Sequence, residues 1–411
     1  MGNMEELIEH LCPEGVISAK LGEVCEIKTG KGITQKDCSD SGKYPVYSGG
    51  KEPMGYYKDC NRKGNTVTIS RVGANAGFVN YVAEDFYLND KCFSVIPKER
   101  NSVLPVFLYY KLKDIECNII KLQSEGGVPT INTKKVSSLE IPLPPLAVQK
   151  KIVEILDTFT GMISNLQKEL EQRQKQFEYY QEKILNFDDV IQQEGEGFIK
   201  KKGILGEIDE LIKQFCPDGV RKTLLGKIMT IVRGASPRPI KNYMSDKING
   251  IPWIKIGDVN PNDKYIRNTA EYVTKEGAKK SRFLHKGDFI LSNSMSFGRP
   301  YILGIDGCIH DGWIAMSGFE KDVCSKYLYY ILRCDTTQKY WRMHANNGGA
   351  MTNLNADIVR GTPIPLPPLA VQEKIVEILD TFTGMIGNLQ QEIELRQKQY
   401  EFYREKLLTF E

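Results

Sequence analysis

The chain has 411 residues, 41% of them hydrophobic and 26% charged, with a formal net charge of +3. That length holds two or three folded domains, and the composition excludes a disordered or fibrous class. No apolar run approaches the roughly 20 residues a membrane-spanning helix needs. The opening MGNMEELIEH carries acidic residues where a secretory signal needs an apolar core. It begins like a myristoylation site, but Glu6 stands where Ser or Thr is required. A cytoplasmic chain with no membrane partner is expected.

From Leu7 the segment LIEHLCPEGV starts a short helical pattern. The strand-like runs NTVTISRV, AGFVNYV and KCFSVIP follow, broken by Gly and Asn. A helical stretch, LPVFLYYKLKDIECNIIKL, leads to a Gly-rich loop, SEGGVPTIN. At Ile141 the prolines Pro142, Pro144 and Pro145 keep the chain extended and donate no ladder bonds. Apolar residues then recur in steps of four and three: Ile152, Leu156, Phe159, Ile163, Leu166, Leu170, Arg173, Phe177, Tyr180, Ile184, Phe187.

The same order then repeats. LIKQFCPDGV from Leu211 precedes the strand-like IPWIKIGDV, GDFILSN and GWIAMSG. After them come the helical SKYLYYILRCDTTQKYWRM and the loop NNGGAMTNLN. From Ile364 the segment IPLPPLAVQ returns, with about four in five positions of the 47 or so that follow identical to the first copy. Its spaced residues are Ile375, Leu379, Phe382, Ile386, Leu389, Ile393, Arg396, Tyr400, Tyr403, Leu407 and Phe410. The implied organisation is a first globule over 1–140, a helical region over 141–190 and a linker over 191–210. A second globule over 211–363 and a second helical region over 364–411 complete it.

Each helical copy sustains about five heptads, the signature of a coiled-coil seam. At 1.5 Å per residue the seam is about 50 Å long. Gly161 and Gly384 weaken the helices locally. Arg173 and Arg396 are read as buried seam residues that mark register. If the helices pair in parallel, the second globule must bridge the whole seam; antiparallel pairing puts the end of one helix beside the start of the other. The expected fold is therefore α+β: two similar globules of mixed strands and helices, joined by two long helices in an antiparallel coiled coil with pseudo-twofold symmetry. The alternative is two unconnected amphipathic helices, each docked on its own globule. A leftover apolar face (Leu146, Val148 and Val153, with Leu369, Val371 and Val376) is either a dock for partners or packing against the globules.

Charge separates the parts. Ile17–Glu140 holds 18 Lys and Arg against 14 Asp and Glu, and Pro217–Pro363 holds 22 against 13, so the rest of the chain carries −10. Basic globules on acidic helices favour a polyanionic ligand for the globules. The candidate readers lie in loops: Lys43, Tyr44, Tyr47, Lys51, Arg71 and Asn75 in the first globule. The second offers Arg233, Arg238, Lys241, Asn293, Ser294, Arg299, Arg342, His344 and Asn346. Arg and Lys suit guanine, Asn suits adenine, and the alternative is ordinary solvated loops.

Catalytic signatures are missing. The ten cysteines and four histidines are scattered without zinc-ligand spacing. TGKGITQK lacks the phosphate-loop spacing, and no dinucleotide, nucleophile-elbow or H-E-x-x-H pattern occurs. A non-catalytic chain with no cofactor or metal of its own is expected.

LCPEGV, YPVYSGG, SRVGANAG, the Gly-rich loop and IPLPPLAVQ with its R-x-KQ[FY]E helix together resemble the specificity subunit of type I restriction–modification enzymes. The resemblance covers nearly the whole chain in both copies. It implies two target recognition domains, each reading half of an asymmetric bipartite site on double-stranded DNA. Two modification subunits using S-adenosylmethionine would methylate adenine, and two restriction subunits would use ATP and Mg2+ for translocation and cleavage. A 50 Å seam matches about fifteen base pairs at 3.4 Å each. Competing readings are an architectural coiled-coil protein that binds partners without reading DNA, and a fused nuclease or methyltransferase.

Overall fold

The computed structural model describes residues 10–39, 41–99, 102–124, 127–187, 204–260, 263–293, 297–319, 321–345 and 353–410. The chain forms two compact units: one comprises 1–168 with 390–411, the other 169–389.

In the first unit the strands are β1 (Ser18–Lys20), β2 (Cys25–Thr29), β3 (Tyr44–Tyr47), β4 (Tyr56–Tyr57), β5 (Thr66–Ser70), β6 (Val79–Val82), β7 (Tyr87–Leu88), β8 (Cys92–Pro97) and β9 (Glu140–Pro142). Its helices are α1 (Leu21–Val24), α2 (Pro105–Asp114), α3 (Glu116–Ile120), α4 (Thr133–Ser137) and the first part of α5 (Leu146–Leu185). An antiparallel sheet runs β2-β8-β5-β6, and a smaller one runs β4-β3-β7. The β-branched run of β5 is buried at every position, as a central strand requires. Pro105 sits in the first turn of α2, where no amide hydrogen is needed. Phe107, Leu108 and Leu112 of α2 join Val67, Ile69, Phe93 and Val95 in one core, with Ile152 and Leu156 of α5.

The second unit repeats this plan with additions. Its strands are β10 (Lys222–Leu224), β11 (Thr230–Arg233), β12 (Met244–Ser245), β13 (Ile251–Ile254), β14 (Tyr265–Ile266), β15 (Glu271–Val273), β16 (Arg282–Leu284), β17 (Phe289–Ser292), β18 (Pro300–Leu303), β19 (Gly307–Ile309), β20 (Trp313–Ser317) and β21 (Pro363–Pro365). The helices are α6 (Ile204–Phe215), α7 (Leu225–Ile228), α8 (Lys275–Lys279), α9 (Ser325–Arg333), α10 (Asp335–Ala345), α11 (Ala356–Arg360) and the first part of α12 (Leu369–Leu408). The sheet β11-β20-β17-β18 matches β2-β8-β5-β6 strand for strand, with β14 added at the edge. The parallel pair β13–β19 matches β3–β7.

The proline segment does more than stay extended. In the first unit β9 pairs antiparallel with β1, Ala19 opposite Ile141, and in the second β21 pairs with β10, Thr223 opposite Ile364. Each clasp ties the first strand of a globule to the start of its long helix.

Both long helices run 40 residues without interruption, through Gly161 and Gly384. Within the first unit Phe159 of α5 stacks on Tyr403 of α12, and Leu407 and Leu408 enter the same core as Val148 and Ile152. Within the second, Tyr180 stacks on Phe382. Moving 21 residues forward on α5 thus moves 21 back on α12, the register of an antiparallel pair. Every seam position named above is buried or half-buried. Arg173 and Arg396 differ from the buried reading: their side chains are 39% and 36% exposed. Each guanidinium bonds to its own helix, Arg173 to Gln176 at 3.1 Å and Arg396 to Glu392 at 2.8 Å. A long stem can lie on the seam while its charge reaches water. The leftover apolar face is largely accounted for by the globules: Val148, Val371 and Val376 are buried in the unit cores, while Leu369 is exposed.

Candidate nucleic-acid interface

In the first unit the loop after β5 and the turn before β8 lie side by side, because Ser70 pairs with Cys92. Arg71 N–H donates to Lys91 O at 2.8 Å, and Ile131 N–H donates to Arg71 O at 2.9 Å. Gly73 N–H reaches Pro129 O at 2.9 Å, so the Gly-rich loop is fastened to the same place. The loop after β3 joins through Asn75, whose Nδ2 donates to Gly49 O at 3.2 Å. A Cβ on Gly49 would lie 2.5 Å from Val72 O, which explains glycine there. Asn89 closes the cluster by donating to Ile33 O at 2.7 Å.

These bonds bring together Lys51, Arg71 and Asn75, with the exposed Lys31 and Lys91. Lys51 lies 5.6 Å from the Phe78 ring, and Arg71 Nη1 donates to Asp90 O at 3.1 Å. Lys43 and Tyr44 sit at the opposite end of β3, with the lysine 5.1 Å from the tyrosine ring. Tyr47 packs edge-on against Phe86 at 5.7 Å. Burial, then the nearby Glu84, raises its phenol above the ordinary value.

The second unit gathers several of its candidate readers around Asp311. Arg233 Nε donates to Asp311 O at 3.0 Å and Asn293 Nδ2 to the same oxygen at 3.3 Å. Ser236 Oγ donates to the carboxylate at 2.8 Å, and Arg238 lies 3.6 Å from it. Gly312 N–H lies 2.9 Å from His310 Nδ1, and the ring's Nε2 lies 3.0 Å from Asp311 Oδ1. Burial pushes the Asp311 carboxyl up, but Ser236, His310 and Arg233 outweigh it and hold it below its ordinary value. A cleft beside this turn is lined by Arg233, Asn293, His310, Asp311, Asn353 and Asn355.

Lys241 is exposed on the short turn Ile240–Tyr243, and Arg299 is half-buried immediately before β18. Arg342 and His344 lie on α10. Arg342 is 3.6 Å from Asp335, and His344 stacks on Tyr340 at 4.0 Å. Trp341 and Gln338 of that helix fit against Gly298 of the loop after β17. Ser294 and Asn346 lie outside the described residues.

Sequence reading missed the turn that organises each cluster, Asn89-Asp90-Lys91 and His310-Asp311-Gly312. Its signal was an aspartate immediately before KCFSVIP and GWIAMSG in both globules. Among the described residues no group of His, Cys, Asp and Glu could hold a metal ion, and no helix is long and apolar enough to cross a membrane.

Paired α+β globules on long antiparallel helices, with varied polar loops fastened at the strand ends, define a class built for recognition. The model of the type I restriction modification DNA specificity domain matches residues 13–173 and again 217–395. A putative type I restriction enzyme specificity subunit of Haemophilus influenzae is 30% identical over 90% of this chain and 89% of its own. The specificity subunit of an Escherichia coli type I restriction enzyme is 26% identical over the whole of this chain and 97% of its own. The crystal structure of a type I restriction–modification S subunit from M. genitalium shares the fold at a TM-score of 0.62, 17% identity and 96% coverage of both chains. The chain belongs to the type I restriction–modification DNA specificity family, and each of its units carries one DNA specificity domain.

Proposed function

We propose that the chain reads an asymmetric bipartite site on double-stranded DNA, one half-site per globule, with the spacer set by the coiled coil. In this reading it is not catalytic. It recruits two modification subunits, which bind S-adenosylmethionine and methylate adenine, and two restriction subunits, which use ATP and Mg2+ for cleavage. The supporting observation is that one loop framework, fastened by equivalent backbone bonds in both units, presents different polar side chains in each.

Selection from a pool of randomised duplexes by the full-length chain tests this. Two unlike half-sites at a fixed separation are expected, with binding that weakens steeply as salt rises because phosphate contacts release counterions. Replacing Ile17–Glu140 with the matching segment of a relative should alter one half-site alone. Binding with no preferred sequence would instead mark an architectural coiled-coil protein.

A further inference from the structure

Arg71 and Asn293 occupy one position of the shared framework. Ser70 N–H donates to Phe78 O at 2.9 Å and Ser292 N–H to Arg299 O at 3.1 Å. Gly77 N–H returns to Ser70 O and Gly298 N–H to Ser292 O, and both glycines have positive φ, 96° and 67°. The next residue in each hairpin is then held twice. Arg71 N–H donates to Lys91 O and Asn293 N–H to Gly312 O; Arg71 O accepts from Ile131 and Asn293 O from Leu354. With four equivalent backbone bonds fixed around them, Arg71 and Asn293 differ in the side chain they display rather than in where the backbone lies.

Each side chain is anchored by one bond to the turn that follows: Arg71 to Asp90 O at 3.1 Å, Asn293 to Asp311 O at 3.3 Å. That bond uses one of five guanidinium hydrogens and one of two amide hydrogens. Arg71 keeps a pair of donors, the complement of guanine O6 and N7. Asn293 keeps one donor and its Oδ1 acceptor, the complement of adenine N7 and N6. Arg233 supplies a guanidinium in the second unit, but from the strand position that Thr29 holds in the first, since Arg233 pairs with Ile314 and Thr29 with Phe93.

Resting on the reading that each globule binds one half-site, we infer that this position is a base-reading one. Arg71 selects a guanine in the first half-site and Asn293 an adenine in the second.

The test is duplex selection with the full-length chain carrying R71Q, R71M or N293D. R71Q should change one required guanine to adenine, because glutamine pairs with adenine. R71M should lose the requirement. N293D should lose one required adenine, since a carboxylate accepts from cytosine and cannot donate to adenine N7. Each shift should be about tenfold or more in preference, and in every case the other half-site should be unchanged, which shows that the chain is folded. If the parent chain selects two half-sites but R71M still demands the guanine, or N293D the adenine, the inference is overturned while the bipartite reading stands. If the parent selects no half-sites, the bipartite reading itself fails.

Discussion

Gln149 and Gln372 make the same three bonds in the two units, and both are fully buried. Gln149 Oε1 accepts from Leu104 N at 2.8 Å at the start of α2, while Nε2 donates to Ser102 O at 3.0 Å and Pro144 O at 2.8 Å. Gln372 treats Cys324, Asp322 and Pro367 identically, at 2.8, 3.0 and 2.8 Å. Proline-rich backbone cannot satisfy its neighbours through its own amides, so the glutamine of IPLPPLAVQ does it. Q149A leaves three backbone groups without partners, one buried and two partly buried, at about 1–3 kcal/mol each. A loss of about 3 kcal/mol or more in denaturant unfolding is expected, and a loss under 1 kcal/mol would contradict this role. Asp380 is a second such hub, accepting from Tyr330 Oη and Lys326 Nζ at 2.6 Å each. Burial pushes its carboxyl up, but Lys326, Tyr330 and Lys264 together hold it below its ordinary value. A depressed folded pKa contributes stability that is full above the unfolded value of about 3.9 and fades as pH falls through the folded one. D380N should therefore be less stable than the parent at pH 7, with the gap closing below about pH 4. A gap independent of pH would show that shape rather than charge matters there.

The long helices were the most legible elements, because steps of four and three over five heptads have one physical reading. Their pairing partners were legible too, from connectivity. The exposure of Arg173 and Arg396 was not, since spacing places a Cα on the seam and says nothing of where a flexible stem carries its charge. The strands read from NTVTISRV, KCFSVIP and GWIAMSG fall where alternation and β-branching put them, at β5, β8 and β20. The candidate reader clusters were legible only as residue types, and not all of these residues lie in loops: Tyr44 and Tyr47 belong to β3, Arg233 to β11, and Arg342 and His344 to α10. Their grouping depends on backbone bonds between segments far apart in sequence, such as Gly73 to Pro129. Gly161 and Gly384 test the helices directly. A Cβ on either meets nothing within 4 Å, and neither has positive φ. G161A and G384A should each stabilise the protein by about 0.5–1 kcal/mol through lower unfolded-state entropy, a rise of about 1–4 °C in the melting of the affected unit. Destabilisation by either would mean that the glycine meets a need, such as a bound partner's close approach, that the free chain does not show.

At the scale of the whole chain, sequence order and unit order differ. The first unit is made from both ends of the chain and the second from its middle, with the division falling inside both long helices, at 168/169 and 389/390. Each helix therefore serves both units, and the spacer proposal becomes a statement about helix length. One heptad added to α5 alone would shift its seam against α12, and the stacking of Phe159 on Tyr403 and Tyr180 on Phe382 could not both survive. A heptad added to both helices at those division points keeps the four-three spacing and both globules intact. It lengthens each helix by about 10 Å, close to the rise of three base pairs at 3.4 Å each. Duplex selection with the doubly extended chain should return the same two half-sites with a spacer about three base pairs longer, while the singly extended chain should lose bipartite binding. The added pairs also turn the duplex, so weaker binding at the new spacing is compatible with the proposal. An unchanged spacer in the doubly extended chain is not, because it would mean that something other than these helices measures the distance.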